Sequence, residues 1–160
     1  MNRERFDEYI SDEYIRGGAV KMTEFEPKII GFVCKWCTGS AADLAGTSRL
    51  TYPPNITIIR LMCSGSVDTT YVIKAFLEGA DGVLIGGCHP GDCHYISGNF
   101  KARRRLSGLK TIMKSLGLEE ERLEVHWIGA DEGRKFAATV DAMVKKLKQL
   151  GPSPLARDNV

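Results

Sequence analysis

The 160-residue sequence has no strong excess of either charge, no long apolar run and no leader-like beginning. Its formal net charge is +2 with 26% charged residues, whereas nucleic-acid-binding domains normally concentrate a basic excess. No apolar run approaches the roughly 20 residues that span a bilayer. Residues 1–18 lack the apolar centre of a secretion signal. These absences argue against nucleic-acid binding and membrane insertion, and we expect a cytoplasmic protein.

The sequence also lacks an even number of cysteines. It has five, and secreted disulfide scaffolds usually pair theirs evenly. In the reducing cytosol, grouped cysteines more often bind metals or take part in redox chemistry. Hydrophobic residues make up 43% of the chain, which is enough for the core of one ordinary domain.

Residues 27–151 alternate between short apolar runs that suit buried parallel strands and segments with helical periodicity. The strand-like runs are residues 28–33, 56–62, 82–87 and 123–129. The helix-like segments are residues 41–45, 67–79, 99–116 and 134–150. The alternation predicts an α/β fold, a small doubly wound, flavodoxin-like parallel sheet of about four strands with helices on both faces. We expect residues 1–26 to form an arm and residues 152–160 a C-terminal tail.

All five cysteines follow predicted strands. They are Cys34 and Cys37 after the first strand, Cys63 after the second, and Cys88 and Cys93 after the third. The carboxyl ends of parallel strands meet at one edge, where open α/β sheets bind ligands. Thiolates suit zinc or iron–sulfur clusters, and an iron–sulfur cluster takes four cysteines. We therefore expect a cluster-binding, electron-relaying protein with one spare thiol, which the residues alone do not identify.

Three other interpretations account for part of the pattern. A structural zinc site in an interaction module would use four thiolates, but such sites usually pair two CxxC motifs, and only Cys34 and Cys37 form one. A thiol redox enzyme built on that CxxC leaves three cysteines unexplained. An FMN site rests on fold analogy alone and lacks a hydroxyl-rich phosphate loop after the first strand.

Residues around the cysteines have several possible roles. His89 and His94 can form hydrogen bonds near a cluster or a partner, or replace a thiolate as in Rieske centres. Trp36 can shield the site, anchor a partner or pack in the core. A basic run begins the third helix and opposes its dipole, so it forms either a solvated face or a contact with an acidic partner. The run consists of Lys101, Arg103, Arg104 and Arg105.

Two aspartates and a group of glycines complete the pattern. Asp68 and Asp92 are candidate caps for the segments that follow them. Glycines at the predicted ligand edge let the backbone approach a cluster closely and donate hydrogen bonds to it. They are Gly39, Gly65, Gly86, Gly87 and Gly91.

Three stretches resemble one known family. They read CKWCTGSAADLAG, YPPNITIIRLMCSGSVD and AFLEGADGVLIGGCHPGDCHYISGN. They are similar to the delta subunit of methyl-viologen-reducing hydrogenase, the iron–sulfur subunit that associates with heterodisulfide reductase. The similarity runs over residues 26–151, and the GCHPGDCHY motif is its most specific part. Lys35 and Thr38 stand where the family often has asparagine and serine, and residues 1–26 have no evident counterpart.

The resemblance implies a more specific function. All five cysteines match family cysteine positions, and the family carries a [2Fe-2S] cluster. Its members pass electrons to the flavoprotein of heterodisulfide reductase, which is the flavin-containing subunit of that enzyme, from a nickel–iron hydrogenase or a formate dehydrogenase. An electron-transfer subunit of this kind needs no general base or nucleophile of its own.

Overall fold

The computed structural model describes residues 25–155. The strands are β1 (Ile29–Cys34), β2 (Ile56–Leu61), β3 (Gly82–Gly87) and β4 (Leu123–Trp127). The helices are α1 (Thr38–Thr47), α2 (Thr69–Leu77), α3 (Gly98–Ser115) and α4 (Gly133–Leu150). Short 3-10 turns occupy Ser64–Ser66 and Glu120–Arg122. Within residues 25–155, no helix combines the length and hydrophobicity that a membrane crossing requires.

The four strands form one sheet in the order β2-β1-β3-β4, and each neighbouring pair is parallel. Ile29 of β1 is in register with Ile56 of β2 and with Gly82 of β3. The chain leaves β1 toward one sheet edge and β3 toward the other, so the strand order reverses between these two strands. That reversal is where sheets of this type bind ligands. The predicted α/β class and doubly wound parallel sheet are confirmed.

Alternate side chains of β3 enter two different cores. Val83 and Ile85 belong to one core and Leu84 to the other, as the two-residue period of a strand requires. The first core joins the sheet to α2 and α3 and includes Val72, Phe76, Ala102, Leu106, Leu109 and Met113. The second joins it to α1 and α4 and includes Ala41, Ala45, Phe136, Val140, Met143 and Leu147. Both helical layers are thus anchored on the sheet, which fixes the loops at its carboxyl edge.

The expectation that residues 56–62 form a buried strand is wrong. β2 is an edge strand, and none of its six residues is fully buried. The apolar run is real, but only the strand order decides whether a strand has neighbours on both sides. β2 therefore exposes apolar side chains that a central strand would cover.

Element boundaries differ from the predictions by a few residues. Cys34 is the last residue of β1 instead of the first residue after it, and Cys63 is the second residue after β2. Asp68 caps α2 as predicted, because its carboxylate accepts a hydrogen bond from the backbone N–H of Thr70 at 2.8 Å. Asp92 caps no helix, since loop structure continues from it until α3 begins.

The predicted arm and tail lie mostly outside the described residues. Only residues 25 and 26 of the arm are described, and the Glu26 carboxylate accepts hydrogen bonds from Lys148 at 2.7 Å and Asn55 at 2.9 Å. Of the tail, residues 152–155 are described, and the backbone N–H of Ser153 donates to Asp81 at 2.9 Å. The division into arm, domain and tail remains a prediction.

A fully buried arginine lies at the amino-terminal end of the sheet, opposite the cysteines. Arg122 precedes β4 and is 0% exposed. Its guanidinium donates to the carbonyl oxygens of Asp81 at 3.1 Å, Gly151 at 3.0 Å and Pro152 at 3.2 Å. Its Nε also pairs with Glu119 at 2.7 Å. These contacts tie the residue before β3 to the chain that leaves α4, and nothing in the sequence pattern singled this residue out.

Candidate metal centre

The five predicted cysteines are all free, buried and placed at the carboxyl edge of the sheet. The last residue of β1 supplies Cys34, the residue before α1 supplies Cys37, the loop after β2 supplies Cys63, and the loop after β3 supplies Cys88 and Cys93. The edge therefore gathers thiols from three adjacent strands, as the sequence predicted. The structure divides them into a group of three and a pair.

The group of three spans the β1–β3 junction. The Sγ atoms of Cys34, Cys37 and Cys88 all lie within 4.8 Å of one another. Cys34 Sγ is 3.8 Å from Cys88 Sγ and 3.7 Å from the carbonyl oxygen of Met62. Since Met62 directly precedes Cys63, this last contact brings the group of three toward the remaining pair.

The pair consists of Cys63 and Cys93, whose Sγ atoms are 3.8 Å apart. The backbone N–H of Gly65 donates to Cys63 Sγ at 3.3 Å. Gly98, the first residue of α3, covers the pair so closely that an added Cβ would lie 2.2 Å from Cys63 Sγ and 3.2 Å from Cys93 Sγ. Only a residue without a side chain fits there.

These separations match the geometry of metal thiolates. Two thiolates on one tetrahedral metal, each about 2.3 Å from it, lie about 3.8 Å apart. Cys34 with Cys88 and Cys63 with Cys93 both have this spacing. Tetrahedral sulfur coordination is typical of zinc and of iron–sulfur clusters. The residues present therefore fit a metal centre, and they supply two such thiol pairs.

Hydrogen bonds place a thiolate in the group of three. A hydrogen bond from the Cys37 thiol, with the backbone N–H of Trp36, lowers the pKa of Cys34 to about 5 despite burial. The same hydrogen bond and burial raise the pKa of Cys37. Burial also raises the pKa of Cys88. Negative charge is therefore concentrated on Cys34.

The pair has a similar asymmetry. Burial raises the pKa of Cys93, but the backbone N–H groups of Asn99, Tyr95 and Gly98 together lower it by more. Burial raises the pKa of Cys63, and negative charge on the neighbouring thiols adds to this effect. Each group thus contains one thiol that ionises readily, and a thiolate is the form that binds metals.

The neighbouring histidines have other partners. His89 Nε2 lies 2.7 Å from a Glu132 carboxylate oxygen, and the His94 ring stacks on Trp36 with 4.0 Å between ring centroids. Within residues 25–155, the grouped metal-ligand atoms come from cysteines alone. His126 pairs with Glu124 at 2.7 Å, away from the cysteines, as expected for a residue outside the site.

Three positioning residues were not identified from the sequence. Asn99 is buried and donates to the carbonyl oxygens of Cys88 at 3.1 Å and His89 at 2.7 Å, which holds the cysteine loop against α3. Glu132 accepts hydrogen bonds from His89 and from the backbone N–H of Gly129. Gly98 is the third. A buried asparagine directly after a glycine at a helix start is the one local signal that could have identified them.

Comparisons with known proteins follow the same region. Residues 29–151 match the family described as methyl-viologen-reducing hydrogenase, delta subunit. The chain belongs to this family. The family match covers every strand, every cysteine and all four helices of the described part of the chain.

Individual relatives agree with this assignment. The iron-sulfur subunit of the vhc F420-non-reducing hydrogenase of Methanococcus voltae is 53% identical over 131 residues, covering 82% of this chain and 91% of that protein. The iron-sulfur subunit of the F420-non-reducing hydrogenase of Archaeoglobus profundus is 45% identical over 134 residues, covering 84% of this chain and 98% of that protein.

A third relative is much longer. It belongs to the ferredoxin/F420H2-dependent CoB-CoM heterodisulfide reductase of Methanosarcina acetivorans and is 48% identical over 126 residues. The match covers 79% of this chain but only 16% of that protein. In that relative, a domain of the present kind is one part of a larger chain.

Proposed function

We propose that this protein is an electron-transfer subunit that carries one [2Fe-2S] cluster at the carboxyl edge of its sheet. The observation that carries the proposal is the presence of two thiol pairs, each with a 3.8 Å separation, on adjacent loops. A cluster with two irons needs two such pairs, one for each iron. When bound, it would supply reversible one-electron chemistry.

The spacing also supports a division of the ligands. Cys34 and Cys88 would hold one iron, and Cys63 and Cys93 the other. Cys37 is then the spare thiol. Its Sγ lies 3.9 Å from Thr38 Oγ1, and it lines a crevice of about 360 Å³ together with His89 and other polar residues. In this role, Cys37 would donate a hydrogen bond to Cys34 without binding metal.

A single structural zinc is the second candidate, because the group of three and one further thiol could surround one metal. It would leave the fifth thiol and the second 3.8 Å spacing without a role. A dithiol enzyme based on Cys34 and Cys37 would likewise leave the Cys63–Cys93 pair unexplained. The two-metal interpretation accounts for all the short sulfur–sulfur distances.

The relatives support the choice of partners. Those named as hydrogenase iron-sulfur subunits favour a nickel–iron hydrogenase as electron donor, and the family resemblance adds formate dehydrogenase as an alternative donor. The matching domain inside the heterodisulfide reductases of two Methanosarcina species favours the heterodisulfide reductase flavoprotein as acceptor. Domains that share a chain in one protein are expected to be neighbours when they occur on separate chains.

Replacing each cysteine singly with serine tests the proposal. After anaerobic purification and reconstitution, we expect the native protein to hold two irons and two sulfides per chain, as a [2Fe-2S] cluster requires. Serine at Cys34, Cys63, Cys88 or Cys93 should abolish or reshape the EPR signal. Serine at Cys37 should keep the iron and sulfide and shift the signal only slightly.

The outcomes separate the alternatives. One zinc without sulfide would refute the cluster. Full cluster content in the Cys63→Ser and Cys93→Ser proteins would refute the role of the pair. Loss of the cluster in Cys37→Ser, with another cysteine dispensable, would leave the cluster intact as a proposal and overturn the division of ligands.

A further inference from the structure

Residues 95–104 leave a mixed surface of apolar and basic side chains beside the cysteine pair. Its apolar members are Tyr95, Ile96 and Phe100, and its basic members are Lys101, Arg103 and Arg104. We propose that this 95–104 surface docks the redox partner, through an apolar centre framed by acidic side chains on that partner. The inference rests on the proposed electron-transfer function and adds where and how the partner binds.

The apolar part of the surface is unusually open. Ile96 is 86% exposed, Phe100 46% and Tyr95 45%. The same segment encloses the thiols, because Gly98 packs against Cys63 and backbone N–H groups of the segment surround Cys93. A protein seated on these side chains would therefore contact the loop that covers the thiols, which is where electron exchange requires it.

The backbone at Ile96 gives a second, independent indication. Ile96 has φ of +67°, in the left-handed region. A β-branched residue there is a true outlier, and such strain concentrates at ligand-binding and functional sites. Ile96 gains nothing from burial that could offset this strain in the free protein. An anchor that becomes buried only in the complex explains why an exposed, strained position holds an aliphatic side chain.

The basic part has no acidic partner within the chain as described. Lys101, Arg103 and Arg104 are exposed, and none forms an ion pair with any residue from 25 to 155. Arg105, the fourth member of the basic run, differs because it donates to the carbonyl oxygens of Gly65 and Val67.

The placement of these cations joins them to the apolar centre. Arg103 and Arg104 follow Phe100 by three and four residues, so all three lie on one side of α3. The first turn of α3 contains no acidic residue, and cations near a helix N-terminus are unfavourable. An acidic counterpart would relieve both the dipole and the mutual repulsion.

The combination of features identifies the kind of partner. Exposed aromatic side chains and arginines are enriched in protein–protein interfaces, whereas nucleic-acid sites depend mainly on contacts to phosphates. The apolar centre would give affinity, and the basic rim would steer an acidic protein and fix its orientation. A redox protein with an apolar docking face and an acidic rim fits both parts.

The first test separates binding from folding. In Ile96→Asn, asparagine tolerates the left-handed backbone, so thermal stability should be equal or higher, and cluster content and EPR should be unchanged. Affinity for the purified heterodisulfide reductase flavoprotein should fall about tenfold, as expected for a hydrophobic anchor. Ile112→Asn is the matched control, because Ile112 is also exposed on α3 and should leave the affinity unchanged.

The second test uses charge. Arg104→Glu should slow association with the same flavoprotein about tenfold at low ionic strength. The difference should vanish near 1 M salt, where the Debye length is about 3 Å. Lys114→Glu makes the same change in charge ten residues along α3, about 15 Å away, and should have little effect on association.

The outcomes distinguish this inference from the proposed function. If the native, cluster-loaded chain fails to bind the heterodisulfide reductase flavoprotein, the proposed acceptor is wrong and the docking surface falls with it. If the native chain binds and the Ile96 and Arg104 variants bind equally well, only the docking surface is overturned. Binding of duplex DNA with the same dependence on Arg104, or self-association lost in Ile96→Asn, would also overturn it.

Discussion

Replacing Gly98 with alanine tests the sulfur geometry directly. The added Cβ would lie 2.2 Å from Cys63 Sγ, and an ordinary contact needs roughly 3.5 Å. The sulfur or the start of α3 must therefore move by more than about 1 Å, whereas metal–ligand distances vary by only about 0.2 Å. We expect Gly98→Ala to lose most of its iron and sulfide after reconstitution, and to lower the free energy of unfolding of the metal-free protein by about 1–3 kcal/mol.

Gly108→Ala is the control for this experiment. Gly108 lies inside α3, and a Cβ there would meet nothing within 4 Å. The change should raise the free energy of unfolding by about 0.5–1 kcal/mol, the helix preference of alanine over glycine, and should leave cluster content unchanged. A Gly98→Ala protein with full iron, full sulfide and a native EPR signal would refute the close packing of Gly98 on the cysteine pair.

Two further predictions concern stability. Arg122→Met strands three backbone carbonyl oxygens and should cost about 3 kcal/mol or more in urea unfolding, with cluster content unchanged; a loss below about 1 kcal/mol would contradict the buried network. The backbone N–H of Gly129 and the ring of His89 lower the pKa of Glu132 from 4.5 to about 2. Because this pKa is lower in the folded state, the stabilisation is present above about pH 5 and is lost as the pH falls toward 2. The gap in urea midpoint between the native and Glu132→Gln metal-free proteins should shrink over that interval, and a constant gap would refute the assignment.

The sequence predicted the parts of the fold that depend on local pattern. Apolar runs and helical spacing located the strands and helices to within a few residues, and the Asp68 cap followed from its position before a helix. The neighbours of each strand depend on the crossovers, so the same kind of run suggested a buried strand for β2, which lies at an edge. The position of the cysteines at strand ends was a matter of topology and could be read directly.

Side-chain placement within the site could not be predicted in the same way. The division of the thiols into a group of three and a pair depends on β1 and β3 being neighbours and on how far the loop to Cys93 reaches. Gly98 looks like a turn residue until its distance to Cys63 is known. Arg122 follows three glutamates, a pattern typical of a solvated surface, and its burial results from carbonyl groups brought together by distant parts of the chain.

The position of the Arg122 network has a consequence for maturation. Both hydrophobic cores and this network form from the chain alone, at a distance from the cysteine edge. Small zinc domains instead obtain their folding free energy from the metal. We expect this chain to reach its fold before it receives iron, so that a delivery system meets a finished scaffold with its thiols already grouped. Insertion then requires the segment around Gly98 to open briefly, which makes the rate of that opening, and not the rate of folding, the step that limits assembly.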